Sequence, residues 1–286
     1  MMGDIAGARV LITGGTSGIG RAAATELARR GAEVMITARD ETKGQAVAAA
    51  IQAEAGVEVQ VGMLDLSRLD SVREFAATYV RTHDRLDVLV NNAGTMTGRR
   101  METPDGLEWT LAVNHLAPFL LTRLLTDLLV ASAPSRVISV SSEVHRSAKH
   151  GLDLADLQMT RGWSAQKAYA ASKLATILMT VELDERLAEQ GVTARAVHPG
   201  VVATNFGKGP EGRWLMRVMM TALGPMLKKP ATGAAPIILL ATASDDVVGQ
   251  SLYWSETEPA QPSRAAQDHE AATALWEASD RLVGLA

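Results

Sequence analysis

The chain contains no cysteine. Disulfide bonds, thiolate metal sites and cysteine nucleophiles are therefore excluded. A chain without cysteine fits a reducing compartment, and we expect a cytoplasmic location. The six histidines never stand at metal-ligand spacing from other donors, so we assign no metal. Isolated residues such as His115, His145 and His198 are more often hydrogen-bonded structural side chains than metal ligands.

An excess of positive charge is also missing. The chain has 28 lysine and arginine residues against 32 aspartate and glutamate residues, which gives a formal net charge of -4. No run of basic residues stands out along the chain. Nothing in this composition attracts a phosphate backbone, so we expect no nucleic-acid partner.

Long uninterrupted apolar runs are absent as well. Residues 1–4 lead so soon into the first strand that we expect no signal peptide and no membrane anchor before it. The most apolar later stretch, residues 116–130, carries Arg123 and Asp127 at helical spacing. This pattern predicts an amphipathic helix rather than a transmembrane segment, and its apolar face is a candidate contact with a partner subunit.

The chain does have enough apolar sequence for a large core. With 286 residues, of which 47% are hydrophobic, one doubly wound α/β domain over residues 1–286 is expected. Strands are predicted at residues 10–12, 33–37, 57–63, 86–90, 136–140, 193–197 and 250–254. Helices are predicted at residues 21–30, 42–55, from about 67 onward, 106–130, 169–189, 231–243 and 268–282.

A glycine-rich turn follows the first strand and opens the first helix. Gly14 suits a tight turn, Gly18 allows a pyrophosphate to approach the backbone, and Gly20 allows the helix and strand to pack closely. The spacing is Gly-x-x-x-Gly-x-Gly, which differs from the commoner dinucleotide fingerprint. The turn predicts a bound nucleotide, and the alternative is a tight turn that binds nothing.

The residues after the second strand bear on which nucleotide is bound. An acidic residue there would bond the ribose of NAD, whereas an arginine would accommodate the 2′-phosphate of NADP. Ala38 stands where the acid would be, and Arg39 follows it. We therefore predict NADP(H), with NAD(H) as the alternative. Arg39 could instead simply pair with Asp40 on the surface.

Polar and small residues stand at the ends of three further strands. Asp65 and Leu66 follow the third strand, where the carboxylate could bond adenine or could cap a helix that starts near Ser67. The fourth strand ends in Asn91-Asn92-Ala93-Gly94, and the fifth delivers Ser141-Ser142. Strand ends of this kind form the ligand crevice of α/β sheets, although the tetrapeptide could also be a plain turn.

A tyrosine and a lysine stand four residues apart at the start of a helix. Tyr169 and Lys173 are then neighbours on one helix face. A tyrosine with an ordinary pKa exchanges protons poorly at neutral pH, and an adjacent cation that stabilises the phenolate makes it usable. In isolation such a pair is usually only a surface contact. A second irregularity lies in the helix at 106–130, which Asn114 and Pro118 weaken from within.

The sixth strand runs into a rigid turn and then a methionine-rich segment. His198, Pro199, Gly200, Val202 and Thr204 belong to the turn, which can present backbone amides and a hydroxyl group. Residues 207–229 follow with several methionines, a composition suited to a lid over a bulky apolar substrate. A packed helix pair or a subunit contact fits this composition equally well.

These motifs, in this order, resemble the short-chain dehydrogenase/reductase family. The resemblance rests on Thr13-Gly14-x-x-x-Gly18-x-Gly20, Asn91-Asn92-Ala93-Gly94, Asn114, Ser142, Tyr169-x-x-x-Lys173 and Pro199-Gly200. Val113-Asn114-His115-Leu116 and Leu275-Trp276-Glu277 are similar to the retinol dehydrogenase-like branch. The resemblance implies a single-domain Rossmann fold with a mostly parallel seven-stranded sheet in the order 3-2-1-4-5-6-7 and helices on both faces.

The resemblance also implies roles for individual residues. Tyr169 would exchange a proton with the substrate oxygen, Lys173 would lower the pKa of Tyr169 and bond the nicotinamide ribose, and Ser142 would orient the substrate. Asn114 would hold its irregular helix and a proton-relaying water. The implied cofactor contacts are Gly14, Thr16, Ser17, Gly18, Ile19, Gly20, Arg39, Asp65, Leu66, Asn91, Ala93, Gly94, Tyr169, Lys173, Pro199, Gly200, Val202 and Thr204.

The expected function is hydride transfer between NADP(H) and a bulky apolar ketone, aldehyde or alcohol. One alternative is a non-catalytic protein that senses or binds NADP(H), and another is an isomerase or epimerase that uses a bound nicotinamide. A small apolar molecule is the expected partner. The apolar faces of residues 116–130 and 174–183 could in addition form a homodimer through paired helices.

Overall fold

The computed structural model describes residues 3–202 and 228–286. Within these ranges eight strands form one sheet in the order β3-β2-β1-β4-β5-β6-β7-β8. The strands are β1 Arg9–Ile12, β2 Glu33–Ala38, β3 Val59–Met63, β4 Val88–Asn91, β5 Ser135–Val140, β6 Val192–His198, β7 Tyr253–Ser255 and β8 Glu258–Pro259. The first seven run parallel, and β8 pairs with β7 in the antiparallel direction.

Helices cover both faces of this sheet. The α-helices in the described ranges are α1 Gly18–Arg29, α2 Glu41–Ala55, α3 Leu69–Thr82, α4 Trp109–Leu111, α5 Ala117–Leu124, α6 Thr126–Ala131, α7 Ala165–Leu187, α8 Pro230–Thr242, α9 Asp245–Val248 and α10 His269–Leu282. No helix in residues 3–202 or 228–286 is both long and apolar enough to cross a membrane.

The sheet confirms the predicted fold class and corrects the strand count. The seven predicted strands are present in the predicted order, and the structure adds β8 as an eighth. This strand has only two residues, Glu258–Pro259, so it carries no alternating pattern that a sequence reading could detect. The order reverses at β1, which pairs with both β2 and β4. Ligands of such sheets bind at the carboxyl ends of the strands beside this reversal.

Alternating side chains of the central strands feed two separate core layers. Leu11, Leu89 and Val137 face a layer that includes residues of α3, α5 and α7. Val10 and Ile12 face the opposite layer, which includes residues of α1, α2 and α8. Because the central strands are buried on both sides, they are held rigidly, and the residues at their carboxyl ends are held with them.

The predicted helix at 106–130 is divided into four pieces. A π-helical turn, Ala112–Leu116, separates α4 from α5 and contains Asn114. Pro118 lies in the first turn of α5, directly after the π-helical turn, and its missing N–H group removes one main-chain hydrogen bond from this continuous helical path. Single π-helical turns of this kind are frequent at functional sites. Asn114 and Pro118, which were expected to weaken the helix at 106–130, therefore lie where the chain departs from regular α-helical geometry.

The apolar faces considered for a dimer are covered by the chain itself. The C-terminal helix α10 packs on α7, and Leu275 shares a buried cluster with Leu174 and Leu178. Trp276 meets Phe119 of α5 edge to face at 4.9 Å. A homodimer through these faces would have to displace α10. The homodimer stays a prediction, and light scattering after size exclusion tests it.

Candidate active site

Two adjacent serines follow β5, and they point in different directions. Ser141 is buried and its hydroxyl donates to the main-chain carbonyl of Lys173 at 2.8 Å. Ser142 begins a 3-10 turn, Glu143–Ser147, and its Oγ accepts a hydrogen bond from Val144 N at 3.3 Å. The side chain of Ser142 also hydrogen-bonds the side chain of Tyr169. Ser142 is therefore the serine that meets the predicted acid, and Ser141 fastens β5 to α7.

Helix α7 carries both Tyr169 and Lys173. It begins at Ala165 behind the capping hydroxyl of Ser164, four residues before the predicted start, so Tyr169 lies in the second turn rather than at the frayed end. Lys173 Nζ lies 5.7 Å from the centroid of the Tyr169 ring and donates to the carbonyl of Val140 at 2.8 Å. The ammonium group is thereby held beside the phenol at the end of β5.

Burial shifts the acidity of both groups. It raises the pKa of Tyr169 to about 12, and the hydrogen bond from Ser142 acts in the opposite direction. It lowers the pKa of Lys173 to about 8. Both shifts arise because a charged group loses hydration inside the protein. Near pH 7 the site therefore holds a protonated phenol beside a positively charged amine, an arrangement that can donate a proton to an oxygen.

Asn114 joins the loop after β4 to helix α7. Its side-chain Oδ1 accepts from Thr95 N at 2.7 Å, and its Nδ2 donates to Thr95 O and to Ser172 Oγ, both at 2.9 Å. Ser172 in turn donates to the carbonyl of Tyr169 at 2.9 Å. The amide group is thus committed to positioning. The proton-relaying water assigned to Asn114 stays a prediction.

The glycine turn lies beside these residues and leaves no space for extra side-chain atoms. A Cβ at Gly20 would lie 2.4 Å from Asn92 Nδ2 and 2.6 Å from the carbonyl of Gly14, so the glycine packs against the turn itself. Helix α1 begins at Gly18, where φ is +56°, with no hydrogen bond from the Ser17 side chain and no acidic residue in its first turn. Its first N–H groups can therefore bind an anion.

Thr13 and Asn92 hold the glycine turn against the end of β4. Both belong to the motifs of the family resemblance, but no role was predicted for either residue. Thr13 Oγ1 accepts from the backbone N–H groups of Asn92 and Ala93 at 3.0 and 3.1 Å. Asn92 Nδ2 donates to the carbonyl of Thr13 at 2.8 Å. Thr13 directly follows the apolar residues of β1, and a polar residue at that place is the sequence signal that could have indicated its role.

The Asn91 side chain does not reach the crevice. This side chain donates to Thr122 Oγ1 at 3.0 Å and is 5% exposed, so it points into the core and away from the crevice. Only the main chain of Asn91 is available to a ligand. Ala93 and Gly94 do line the crevice, and a Cβ at Gly94 would lie 3.4 Å from Lys173 Nζ.

Arg39 is exposed at the end of β2. It makes no hydrogen bond or ion pair with another residue of the described ranges. Asp40, the alternative partner, accepts a hydrogen bond from Lys43 N at 2.8 Å and caps α2. The surface pair between Arg39 and Asp40 is therefore not formed, and the guanidinium can bind a phosphate.

Asp65 and Leu66, the predicted adenine contacts, differ in where their side chains lie. Asp65 Oδ1 accepts from both the N–H and the hydroxyl of Ser67, at 3.0 and 2.7 Å. It does not cap α3, because Asp105 accepts from Leu69 N at 2.9 Å and takes that place. The side chain of Leu66 belongs to the core, which leaves only its main chain for a ligand.

The turn after β6 approaches the glycine turn across α8. Gly200 has a φ of +80°, and Val202 forms an isolated bridge with Lys228. A Cβ at Gly233 of α8 would lie 2.5 Å from Val202 Cγ2 and 3.1 Å from Ile19 Cγ1, so this glycine, which was not predicted, lets both side chains pack closely against α8. Thr204 and residues 207–227 of the proposed lid lie outside the described residues.

Comparisons with known proteins agree with this arrangement. A family model described as short chain dehydrogenase matches residues 8–211. Retinol dehydrogenase 13 of Homo sapiens is 43% identical over 291 residues, which cover 98% of this chain and 86% of the relative. An uncharacterised protein from Mycobacterium paratuberculosis superimposes with a TM-score of 0.75 at 35% identity, covering 99% and 96% of the two chains. A short chain dehydrogenase from Shigella flexneri, complexed with NADP, gives a TM-score of 0.69 at 27% identity, covering 90% of this chain and 100% of its own.

Proposed function

The chain belongs to the short-chain dehydrogenase family, in its retinol dehydrogenase-like branch, and is an oxidoreductase; from this premise we propose that it uses NADP(H) to interconvert a bulky apolar aldehyde or ketone and the corresponding alcohol. The observation that carries the proposal is the convergence of three side chains at the carboxyl edge of the sheet. Ser142 hydrogen-bonds Tyr169, and Lys173 lies beside the Tyr169 ring. This set matches what proton transfer to a carbonyl oxygen requires.

The three side chains divide the work at the substrate oxygen. In reduction, Tyr169 donates its phenolic proton to the oxygen of the substrate, and Ser142 holds that oxygen by a hydrogen bond. Lys173 stabilises the phenolate that remains, because a positive charge close to an anion in a buried site lowers its free energy. In oxidation the same phenolate accepts the proton from the alcohol. Asn114 keeps the loop after β4 in place beside Lys173.

The residues present fit a dinucleotide cofactor. The first turn of α1 offers N–H groups without acidic competition, and Gly20 and Gly14 keep the turn free of side chains. The bound nicotinamide would supply or accept the hydride, while the protein supplies position and electrostatics. Lys173 and Tyr169 would contact its ribose, the Val202 main chain its carboxamide, and Asp65 and the Leu66 main chain its adenine. The role of Thr204 stays a prediction.

Arg39 is proposed to select NADP(H). Replacing Arg39 with leucine is expected to raise KM for NADPH about 10- to 100-fold, because one charge-assisted contact with a phosphate is worth roughly 1.5–3 kcal/mol. KM for NADH, which lacks the 2′-phosphate, should change less than about twofold. Initial rates with both cofactors measure this. A matched control is Arg81→Leu, an exposed arginine in the last turn of α3. Equal losses with NADH and NADPH in Arg39→Leu would contradict the assignment.

Gly20→Ala is expected to abolish tight cofactor binding. The added methyl would overlap the Asn92 amide and the Gly14 carbonyl, so the turn must open. We expect Kd for NADPH to rise at least about tenfold, measured by quenching of tryptophan fluorescence. Gly56→Ala is the control, because Gly56 ends α2 at a φ of +78° with open space around it. That variant should lose roughly 1 kcal/mol of stability and keep NADPH affinity. Unchanged affinity in Gly20→Ala would place the cofactor elsewhere.

One assay tests the proposed function directly. The full chain is incubated with NADPH or NADH and a panel that contains retinal, long-chain aldehydes, and monocyclic and polycyclic ketones, and the loss of reduced cofactor is followed by absorbance. Turnover with NADPH on apolar carbonyls is the expected result. Binding of NADPH without turnover of any of them would favour a sensor. The cytoplasmic location and the lid at 207–229 stay predictions.

A further inference from the structure

The short turn that carries Ser142 is fastened to a segment near the C-terminus. His145 lies in this turn and is completely buried. Its Nδ1 lies 2.7 Å from the main-chain oxygen of Ser142, and its Nε2 lies 3.0 Å from the backbone nitrogen of Ser263. A single imidazole therefore spans the distance between the residue that holds the substrate oxygen and a distant loop.

The two contacts define the protonation of the ring. Ser263 N is a backbone donor, so Nε2 must accept and cannot carry a proton. The Ser142 carbonyl can only accept, so Nδ1 must carry the proton and donate it. His145 is thus a neutral imidazole with its proton on Nδ1, and this is the only form that makes both hydrogen bonds.

Neighbouring contacts hold the same turn but do not reach Ser142. Tyr253 packs edge to face on His145 at 5.3 Å, and its hydroxyl donates to Glu143 Oε1 at 2.7 Å. Arg146 donates to the carbonyl of Gln261 at 2.6 Å. These bonds attach the turn to residues 253–263. Within the described ranges, the His145 side chain is the group that links this attachment to the main-chain oxygen of Ser142, which also accepts the backbone N–H of His145 at 3.0 Å.

We infer that His145 is a positioning residue for Ser142, and that the loop ending at Ser263 sets the place of the Ser142 hydroxyl through it. The inference rests on the proposed function, because it assumes that Ser142 holds the substrate oxygen. His145 does not contact the substrate in this scheme. It fixes the peptide of Ser142, and small displacements of a catalytic group reduce the rate strongly.

The tautomer can be measured without any activity assay. Two-dimensional ¹H–¹⁵N spectra that correlate ring nitrogens with ring protons distinguish the two neutral tautomers and the imidazolium form. With six histidines in the chain, the signals of His145 are assigned by their loss in His145→Asn. A ring protonated on Nδ1 near pH 7 is the expected result. A ring protonated on Nε2, or on both nitrogens, would overturn the inference.

Steady-state kinetics of matched variants test whether the hydrogen bonds of His145 are needed for turnover. His145→Phe keeps a ring against Tyr253 and removes both hydrogen bonds, and we expect kcat to fall about 10- to 100-fold. KM for NADPH should stay within about twofold, because the glycine turn is untouched. His145→Asn carries an amide close to the position of Nδ1 and should recover part of kcat. His150→Phe makes the same change at an exposed histidine of the following segment and should keep full activity.

Different variants test the proposed role of Ser142 and the positioning role of His145. The assays use NADPH with retinal or decanal, whichever the wild type reduces faster, and include Ser142→Ala. Full turnover in Ser142→Ala would refute the proposed role of Ser142 itself. A large loss in Ser142→Ala together with unchanged kcat in folded His145→Phe would refute only the positioning role. If His145→Phe does not fold, the Asn variant and the tautomer still decide the question.

Discussion

Tyr169→Phe is expected to reduce turnover by about 10³-fold while NADPH still binds, because it removes the only proposed proton donor at the substrate oxygen. The ring itself stays, so the packing of α7 and the contact with Lys173 are preserved. Ser142 loses one hydrogen-bond partner but keeps the bond from Val144 N. The loss should therefore appear mainly in kcat, and the affinity for the cofactor should fall only by the one contact that the Tyr169 hydroxyl would make with the ribose.

The measurement compares Tyr169→Phe with a second tyrosine variant. Tyr79 lies on α3 and is also buried, so Tyr79→Phe removes a hydroxyl of the same kind away from the crevice. Steady-state rates with NADPH and the best carbonyl of the panel should be unchanged in Tyr79→Phe. Turnover of Tyr169→Phe within tenfold of the wild type would show that another group or a water supplies the proton.

Local sequence patterns predicted most of the sheet, since each strand of a parallel sheet is a short apolar run. The carboxyl ends of these runs also located the Ser141-Ser142 pair and the glycine turn, and the family resemblance selected Ser142 within the pair. The helix boundaries were less well predicted. Helix α7 begins at Ala165, because Ser164 caps it, whereas the prediction placed its start at the Tyr169 motif. Strand β8 is too short to show a period.

The residues that sequence reasoning missed act through contacts between distant parts of the chain. Ile19 and Val202 both pack against Gly233, and Asn92 reaches back to Thr13. His145 was interpreted as an ordinary structural histidine, and its partner Ser263 lies in a loop without a motif. No local pattern records such pairings, because they depend on which strand ends become neighbours. The orientation of the Asn91 side chain could not be predicted for the same reason, since it faces Thr122 of a later helix, and the predicted cofactor contact of Asn91 stays a prediction for its main chain.

The buried charge of Lys173 is expected to lower the free energy of unfolding of the protein. Lys173 is 3% exposed, and within the described ranges no carboxylate forms an ion pair with its ammonium group, which donates to the Val140 carbonyl. Burial lowers its pKa from 10.5 to about 8. This shift corresponds to a cost of about 3 kcal/mol for keeping the charged form folded. Lys173→Met removes the charge but leaves the Val140 carbonyl without its donor, which costs about 1 kcal/mol.

The cofactor-free Lys173→Met variant should therefore be about 2 kcal/mol more stable than the wild type near pH 7, while its kcat falls about 10²-fold or more. The sign of the pH dependence follows from a folded pKa below the unfolded one. Below pH 8 both states hold the proton and the cost is complete; between pH 8 and 10.5 the folded protein loses the proton first, and the wild type gains stability relative to the variant.

Urea unfolding of both proteins near pH 7 and near pH 9.5 measures the difference in the free energy of unfolding. The difference should shrink at the higher pH. Lys167→Met provides the control, because Lys167 is an exposed lysine of the same helix, and its stability should change by less than about 0.5 kcal/mol at either pH. A Lys173→Met variant that is less stable than the wild type near pH 7 would show that the buried ammonium is stabilised by partners stronger than the Val140 carbonyl. The expected result, a Lys173→Met variant that is more stable than the wild type, would mean that Lys173 serves proton transfer at a cost to the stability of the folded protein.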